Sequence, residues 1–507
     1  MPTASSRADA AATRAEELIP GALKRLADYV RVPALSRDPA RAADVKKMAT
    51  IAAEDLRQAG LDEVEVLELE GALPSVRAEK LGVEGAPTVL IYGHFDQQPA
   101  DPAEWSTPSP HELVPKGERL YGRGAADDLG GWLSQLIAFR AWKETGGLPV
   151  NVRFLLEGEE EIGSPNLERY MDAFPEAFQA DVMVLTDCEN PATDVPGLTV
   201  SLRGLLEIEV VIRALEGKVH SGLWGGAIPD PAIALMKLVA SLVDDHGRVV
   251  GIEADVDPAW RESVKGLSPD DAALRRDAGL VPGARGLDPQ GRPRVEWMWR
   301  QPHLTVVGTS LPQLHQQANV ILPEARAVLS VRLAPGQEAD AVSAALEDRI
   351  RKNVPFGLPF EVHVRRGTAG WAYEAKGPAF DAAERAYKRA FGKDLVRIGV
   401  GGSIPFITLF ARRFPSTPLI LNGVMDPQTS AHGPDESLHV GLFRKVVLAN
   451  VHLLGELADL PPSSLGLACD RLRARFRATP VRPAGATPPR SCPGARPRRP
   501  RSGSPTR

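Results

Sequence analysis

The chain has 507 residues, more than three times the ~150 residues typical of one domain, so at least two domains are expected. Its composition, 43% hydrophobic and 25% charged, is that of a globular protein, and no apolar run reaches the ~18 residues of a membrane helix. The net charge is −5, but residues 471–507 contain eleven Arg and no acid, which leaves −16 on the rest of the chain. We therefore expect neither a membrane-spanning protein nor one whose main partner is nucleic acid.

The N-terminal segment and the cysteines bear on compartment and metal chemistry. Residues 1–18 carry five charged side chains and no apolar core, which is not a secretory-signal pattern, so we expect a cytoplasmic protein. Cys188, Cys469 and Cys492 have neither the number nor the spacing of a disulfide framework or a cysteine metal site. Any metal ion is therefore expected on histidine and carboxylate ligands.

Most of the chain, residues 15–460, alternates between short apolar runs and helical patterns. Runs of the buried-strand type lie at 88–93, 150–156, 181–186 and 418–423. Helical patterns lie at 128–145, 378–391 and 437–458. Buried strands separated by helices predict an α/β sheet that is covered on both faces.

The middle of the chain has a different rhythm, in which apolar and polar residues alternate from Leu206 onwards. The predicted order is a strand from 204, a helix at 230–244, strands at 303–308 and 325–333, a helix at 337–352 and a strand at 359–366. This β-α-β-β-α-β order is typical of a ferredoxin-like unit, with residues 253–301 as an insertion. We therefore predict that one α/β domain (1–203 and 373–465) is split by an inserted α+β domain (204–372).

The remaining residues, 466–507, are rich in Arg and Pro and poor in branched apolar side chains. Such a segment cannot bury enough surface to offset its ordering entropy, so we predict disorder. A basic tail either contacts nucleic acid or acidic lipid, or is an extension without function, and the second interpretation is favoured.

Polar residues that suit metal binding lie at or just beyond the ends of the predicted strands. They are His94, Asp96, Asp127, Glu160, Glu161, Asp187 and His432. Each also has a simpler interpretation as a surface loop residue, a helix cap or part of a solvated acidic run. Ligands in open α/β sheets gather beyond the carboxyl ends of the strands, however, and two imidazoles with three carboxylates suit two divalent ions that share one carboxylate.

Several motifs occur in an order that resembles one family. They are Gly93-His-Phe-Asp-Gln-Gln-Pro99, Tyr121-Gly-Arg-Gly-Ala-Ala-Asp-Asp128, Gly158-Glu-Glu-Glu-Ile-Gly-Ser164, His220-Ser-Gly222, Arg332, Gly401-Gly-Ser-Ile-Pro405 and Ala431-His432. The chain resembles, over about 15–460, the co-catalytic zinc metallopeptidases that include carnosinase-type dipeptidases, aminoacylase, acetylornithine deacetylase and succinyl-diaminopimelate desuccinylase. The fold implied is a zinc-peptidase-like mixed sheet flanked by helices, with a ferredoxin-like lid that also dimerises.

The resemblance implies a role for each metal-site residue. One zinc ion would be held by His94 and Asp187, the other by Glu161 and His432, and Asp127 would bridge them. Mn²⁺ and Co²⁺ are the alternatives to zinc.

Two further carboxylates have implied roles. Asp96 would orient His94, and Glu160 would be the general base. The register of Glu160 and Glu161 depends on their spacing to Gly163-Ser164. The family also has a cis peptide bond at the position of Asp127-Asp128. Cys188 has two interpretations, a soft third ligand or a packed side chain, and packing is favoured.

Substrate residues follow from the same resemblance. His220 and Asn319 would stabilise the oxyanion, and Arg332 and Ser403 would bind a terminal carboxylate. The implied substrate is a dipeptide or similar small peptide, with N-acyl-amino-acid deacylation as the alternative and a non-catalytic binding protein as a remote one. The implied assembly is a homodimer through the lid, in which His220 reaches the partner's site.

Overall fold

A six-stranded mixed sheet forms the centre of the molecule, in a computed structural model that describes residues 4–402 and 404–465. The helices are α1 Ala4–Val30, α2 Ala42–Ala59, α3 Leu129–Glu144, α4 Leu167–Ala173, α5 Ser221–Trp224, α6 Pro231–Ser241, α7 Pro258–Val264, α8 Asp271–Ala278, α9 Arg294–Trp299, α10 Ala339–Asn353, α11 Pro378–Phe391, α12 Pro405–Arg413 and α13 Val440–Ala458.

The strands follow the same chain order. They are β1 Asp62–Leu67, β2 Ser75–Lys80, β3 Thr88–His94, β4 Val114–Lys116, β5 Arg119–Tyr121, β6 Asn151–Glu157, β7 Val182–Leu185, β8 Gly197–Leu202, β9 Gly204–Arg213, β10 Val219–His220, β11 His303–Thr309, β12 Val320–Ile321, β13 Glu324–Leu333, β14 Phe360–Thr368, β15 Trp371–Ala372, β16 Val396–Val400, β17 Leu419–Leu421 and β18 Ser437–His439.

The central sheet has the strand order β1-β2-β6-β3-β7-β17. Strands β6, β3, β7 and β17 run parallel to one another, whereas β1 and β2 are antiparallel additions at one edge. The four parallel strands are the four apolar runs predicted from the sequence. Their carboxyl ends meet at one edge of the sheet, which brings residues distant in the chain together.

Both faces of this sheet are covered, as predicted, and β3 shows how. Val89 and Ile91 belong to the core beneath helices α1, α3, α11 and α13, whereas Leu90 and Tyr92 belong to a second core with α4 and α12. Tyr92 packs against Phe406 and Phe410, with ring centroids 4.5 and 5.0 Å away. Alternate residues of one buried strand therefore serve two cores, which explains its unbroken apolar sequence.

A separate four-stranded antiparallel sheet contains the middle of the chain, in the order β11-β13-β9-β14. Helices α6 and α10 cover one face through a core that includes Leu206, Ile208 and Leu329. The connectivity β9-α6-β11-β13-α10-β14 is the β-α-β-β-α-β order predicted for this region. Strands β11 and β14 are its two edges.

The predicted insertion is folded and contacts the rest of the protein. It contains α7, α8 and α9, and Val295 and Trp299 of α9 pack against Ile398 of β16. The buried carboxylate of Glu296 accepts hydrogen bonds from Arg261, at 2.5 and 3.0 Å, and from Gln301 at 3.2 Å. A charged group buried in this way requires such partners.

Two predictions concern residues outside this description, namely Ser403 and the segment 466–507. Within residues 4–402 and 404–465, no helix has the length and apolar character that crossing a membrane requires.

Candidate metal centre

His94 is the last residue of β3 and is fully buried. Its Nδ1 atom lies 3.2 Å from the backbone oxygen of Asp96 and 3.4 Å from the Asp96 carboxylate. Its Nε2 atom lies 3.1 Å from Asp127 Oδ1 and 4.0 Å from Asp187 Oδ2. The acceptors at Nδ1 favour a proton there, which leaves the Nε2 lone pair available to a metal ion between Asp127 and Asp187.

Asp127 lies between two imidazoles. Its second carboxylate oxygen, Oδ2, is 3.1 Å from Nε2 of His432, and the same nitrogen is 3.1 Å from Glu161 Oε2. The peptide bond between Asp127 and Asp128 is cis, as the family resemblance implied. The Asp127 carboxylate therefore faces His94 with one oxygen and His432 with the other.

The structure thus contains two groups with the donors of a metal site. One is His94, Asp127 and Asp187, the other is Asp127, Glu161 and His432, and within each group the donor atoms lie within 4.8 Å of one another. Three protein ligands per ion leave one coordination position open, which is the arrangement of catalytic zinc sites. The residues present therefore fit two divalent cations that share Asp127.

The electrostatics show that this cluster lacks positive charge. Burial raises the pKa of the Asp187 carboxyl, and the neighbouring Asp127 adds to the effect. Burial also raises the pKa of Glu161 and of Glu160, to which nearby carboxylates contribute. The hydrogen bonds to Asp127 and Glu161 raise the pKa of His432 to about 11. These shifts reflect an excess of buried carboxylates, which divalent cations would compensate.

Asp96 organises the acidic loop after β6. Its carboxylate accepts hydrogen bonds from the backbone N–H groups of Glu160, at 3.2 Å, and Glu161, at 3.0 Å. The Glu161 side chain lies beside His432, whereas that of Glu160 belongs to neither ligand group. Glu159 instead accepts hydrogen bonds from Leu73 N and Asn166. The three neighbouring acids therefore have three different environments.

Sequence reasoning missed the cradle that holds the Asp127 loop. The buried carboxylate of Glu436 accepts hydrogen bonds from the backbone N–H groups of Gly124, Ala126 and Asp127, at 3.0, 3.1 and 3.2 Å. It also pairs with the buried Arg123 guanidinium at 2.8 Å. Arg123 lies within the motif Tyr121–Asp128 and Glu436 lies four residues after His432, but their pairing is a tertiary contact between residues 313 positions apart.

The implied substrate residues lie on the four-stranded sheet and beside a separate two-stranded antiparallel sheet, β10-β12. His220 of β10 and Asn319, which directly precedes β12, are exposed neighbours, and Ser221 N donates to Asn319 O at 2.9 Å. Arg332 is half-buried on β13 opposite His303 of β11. Within the described residues, the structure does not bring these three side chains into either metal-ligand group.

Cys188 is buried, and burial raises the pKa of its thiol well above the usual value. A metal-binding cysteine needs the opposite shift. Among the described residues, the candidate ligand groups do not include it. Its environment supports the packing interpretation.

Comparison with known proteins identifies the family of this chain. Residues 90–456 match the model of the family described as peptidase family M20/M25/M40. The cysteinylglycine-S-conjugate dipeptidase of Corynebacterium striatum is 35% identical over 375 residues, which cover 73% of this chain and 81% of that protein. The Cys-Gly metallodipeptidase of Saccharomyces cerevisiae is 28% identical over 452 residues, which cover 84% and 93% respectively. The crystal structure of human carnosine dipeptidase 1 superposes with a TM-score of 0.75 at 25% identity. The match covers 89% of this chain and 99% of that one.

The chain therefore belongs to peptidase family M20/M25/M40. Its mixed α/β fold is the fold of that family, and it is an enzyme of the metallopeptidase class.

The Glu436 cradle leads to a stability prediction. Glu436→Gln leaves the buried Arg123 charge without a counter-ion, so we expect the free energy of unfolding to fall by about 3–5 kcal/mol. Chemical denaturation measures this change. The matched control, Glu118→Gln, alters a carboxylate whose side chain is 86% exposed beside His439, and should stay within about 0.5 kcal/mol of wild type. Equal stability of the two variants would contradict the role assigned to the cradle.

Proposed function

We propose that this protein is a metallodipeptidase that uses two zinc ions to hydrolyse dipeptides and similar small peptides with a free C-terminal carboxylate. The observation that carries the proposal is the position of Asp127, whose two carboxylate oxygens each lie 3.1 Å from a different imidazole nitrogen. In this proposal His94 and Asp187 complete one ion site, and Glu161 and His432 complete the other. Mn²⁺ and Co²⁺ are the alternative ions for the same histidine and carboxylate ligands.

Two ions bound here would polarise the scissile carbonyl and lower the pKa of a water molecule. The Glu160 carboxylate accepts the proton of that water and later delivers it to the leaving amine. The Asp96 carboxylate accepts a hydrogen bond from the backbone N–H group of Glu160 and so fixes that part of the loop. It also lies beside Nδ1 of His94 and helps to orient that imidazole. His220 and Asn319 donate to the oxyanion.

A positively charged region supports the binding of a substrate carboxylate. Burial lowers the pKa of His303, and the positive charges of Arg203, Arg248 and Arg332 lower it further. Arg203 donates to the backbone oxygen of Gly401, which precedes Ser403 by two positions in the sequence. We assign Arg332 and Ser403 to the C-terminal carboxylate of the substrate, because a guanidinium fork matches a carboxylate.

The named activities of the relatives favour dipeptides over acylated amino acids. The two relatives compared above are a cysteinylglycine-S-conjugate dipeptidase and a Cys-Gly metallodipeptidase. N-acyl-amino-acid deacylation would use the same metal ligands and base, and it remains the second candidate. We also propose a cytoplasmic enzyme whose partners are small peptides, and not nucleic acids or membranes.

Exposed apolar residues support a homodimer formed by the lid, residues 204–372. Leu223 and Trp224 of α5 and Ile233 and Met236 of α6 are exposed, and so are Val306 and Val307 of the edge strand β11. A sheet edge and an apolar helix face exposed together are typical of a protein–protein contact. We propose that the dimer places His220 and Asn319 of each lid at the partner's metal centre.

The base assignment is tested by Glu160→Gln. Since Glu160 lies in neither ligand group, the variant should keep both ions while kcat falls at least ~10²-fold, the lower end of acid–base contributions. Metal analysis and dipeptide hydrolysis measure the two effects. Glu161→Gln is the matched variant, and it should lose one ion. If Glu160→Gln lost an ion and Glu161→Gln retained both, the register would be wrong by one residue.

The shared site is tested by mixing two inactive variants, His220→Ala and Glu160→Gln, under conditions that allow subunit exchange. Half of a random equal mixture is heterodimer with one complete site of two, so about a quarter of wild-type activity should return. Each variant exchanged with itself is the control. If exchange is demonstrated and the mixture stays inactive, His220 does not act across the dimer.

A further inference from the structure

The segment after β6 carries both the proposed general base, Glu160, and the candidate metal ligand Glu161. We name residues 158–164 the base loop. Its centre is fixed by the Asp96 carboxylate, which accepts hydrogen bonds from the backbone N–H groups of Glu160 and Glu161 at 3.2 and 3.0 Å. A metal ion would hold the Glu161 side chain, whereas Glu160 belongs to neither ligand group. The position of the Glu160 carboxylate therefore depends on the backbone of the base loop.

Glu157, the last residue of β6, connects the two ends of this loop. Its side chain is buried, and its Oε2 atom accepts a hydrogen bond from Oγ of Ser164 at 3.1 Å. Ser164 is the last residue of the base loop and has a φ of 53°, in the left-handed region that residues other than glycine rarely adopt. The hydrogen bond to Glu157 helps to hold the loop in that conformation.

The same carboxylate oxygen also joins the loop to β3. Oη of Tyr92 donates a hydrogen bond to Glu157 Oε2. Tyr92 is fully buried, and its ring packs against Phe406 and Phe410 of α12. Tyr92 precedes His94 by two residues, and His94 pairs with Glu157 in the register of β3 and β6. Both ends of the base loop are therefore held against the strand that supplies a candidate metal ligand.

The surroundings of Glu157 favour a role in positioning over a role in stability. The acids Asp96 and Glu159 lie close enough to act on its charge, and hydroxyl groups donate both of the hydrogen bonds described above. Burial of a carboxylate beside other acids costs free energy, and an apolar side chain of similar size would cost less. What the carboxylate adds is one oxygen that accepts from both Tyr92 and Ser164.

We propose that Glu157, Tyr92 and Ser164, which we name the Glu157 cluster, position the base loop and thereby the carboxylate of the general base Glu160. The inference rests on the proposed hydrolysis and adds three residues that lie outside both metal-ligand groups. Because the cluster acts through Glu160, its loss should slow the chemical step and leave the binding of zinc and substrate unchanged.

Tyr92→Phe tests the cluster because it removes one hydroxyl group and keeps the buried ring. We expect kcat for dipeptide hydrolysis to fall at least ~10-fold, with KM within about twofold of wild type and both zinc ions retained. An unchanged kcat would overturn the proposal.

The matched control is Tyr29→Phe. Tyr29 is also fully buried, belongs to the other core of the central sheet and donates its hydroxyl group to the Asp55 carboxylate. This variant should lose a similar free energy of unfolding, measured by chemical denaturation, and keep kcat within about twofold of wild type. An equal loss of kcat in the two variants would mean that Tyr92 only stabilises the fold.

A double-mutant cycle with Glu160→Gln shows whether Tyr92 acts through the base. In protein that already carries Glu160→Gln, adding Tyr92→Phe should change the residual kcat by less than about twofold, because no base is left to position. The same ~10-fold loss in both backgrounds would refute a role through Glu160.

Hydrogen exchange tests the loop independently of catalysis. The backbone N–H groups of residues 158–164 should exchange at least ~10-fold faster in Tyr92→Phe than in wild type, and at an unchanged rate in Tyr29→Phe. Unchanged exchange in Tyr92→Phe would refute the assignment of the cluster, whatever the activity. If exchange responded as expected but zinc-loaded wild type hydrolysed no dipeptide, the failure would be that of the proposed function.

Two variants of Glu157 test the accepting oxygen. Glu157→Gln keeps an oxygen that can accept from Tyr92 and Ser164, whereas Glu157→Leu removes it. We expect kcat in Glu157→Gln to be at least ~10-fold above that in Glu157→Leu, and exchange of the base loop to be slower. Equal kcat values would contradict the role of this oxygen. If Glu157→Leu did not fold, the comparison of Tyr92→Phe with Tyr29→Phe would decide.

Discussion

The site depends on one carboxylate that faces two imidazoles. Asp127 can lie between His94 and His432 only if three separate segments are held in place around it. The end of β3 fixes His94, the Glu436 cradle fixes the backbone of the Asp127 loop, and the loop after β17 supplies His432. Because β3, β6, β7 and β17 are parallel, the polar residues that follow them meet at one edge. Asp127 follows β5, which belongs to the separate antiparallel sheet β18-β5-β4. The rest of the fold can be understood as support for that edge.

Much of this support consists of buried charged groups that pair with one another or with a polar side chain. Arg123 pairs with Glu436, Arg119 with Asp426, and Asp128 accepts a hydrogen bond from Thr186 at 2.6 Å. Burying such groups is costly unless each has a partner, and removing one partner leaves the other uncompensated. The loops that carry the ligands are therefore coupled to one another rather than to solvent. This rigidity suits a site that must hold two cations at a fixed separation.

The sequence predicted the parallel strands well because they depend on local patterns, whereas the metal ligands were assigned from the family resemblance. The four parallel strands are apolar runs; His94 ends one of them and Asp187 lies two residues beyond another, whereas His432 lies eleven residues beyond β17. The partners of the ligands were not predictable in this way. Glu436 resembles any acid in a polar loop until the fold places it beneath Gly124 and Asp127. Likewise, nothing in residues 253–301 alone indicates that Trp299 packs on Ile398.

The most direct test is a metal titration of the metal-free protein, in which zinc binding and dipeptide hydrolysis are measured in the same samples. We expect no activity without metal and full activity at two zinc ions per chain. Asp127→Asn, which alters a ligand shared by both groups, should weaken both binding events together. Full activity in metal-free protein, or two unperturbed zinc sites in Asp127→Asn, would contradict the proposed two-zinc site.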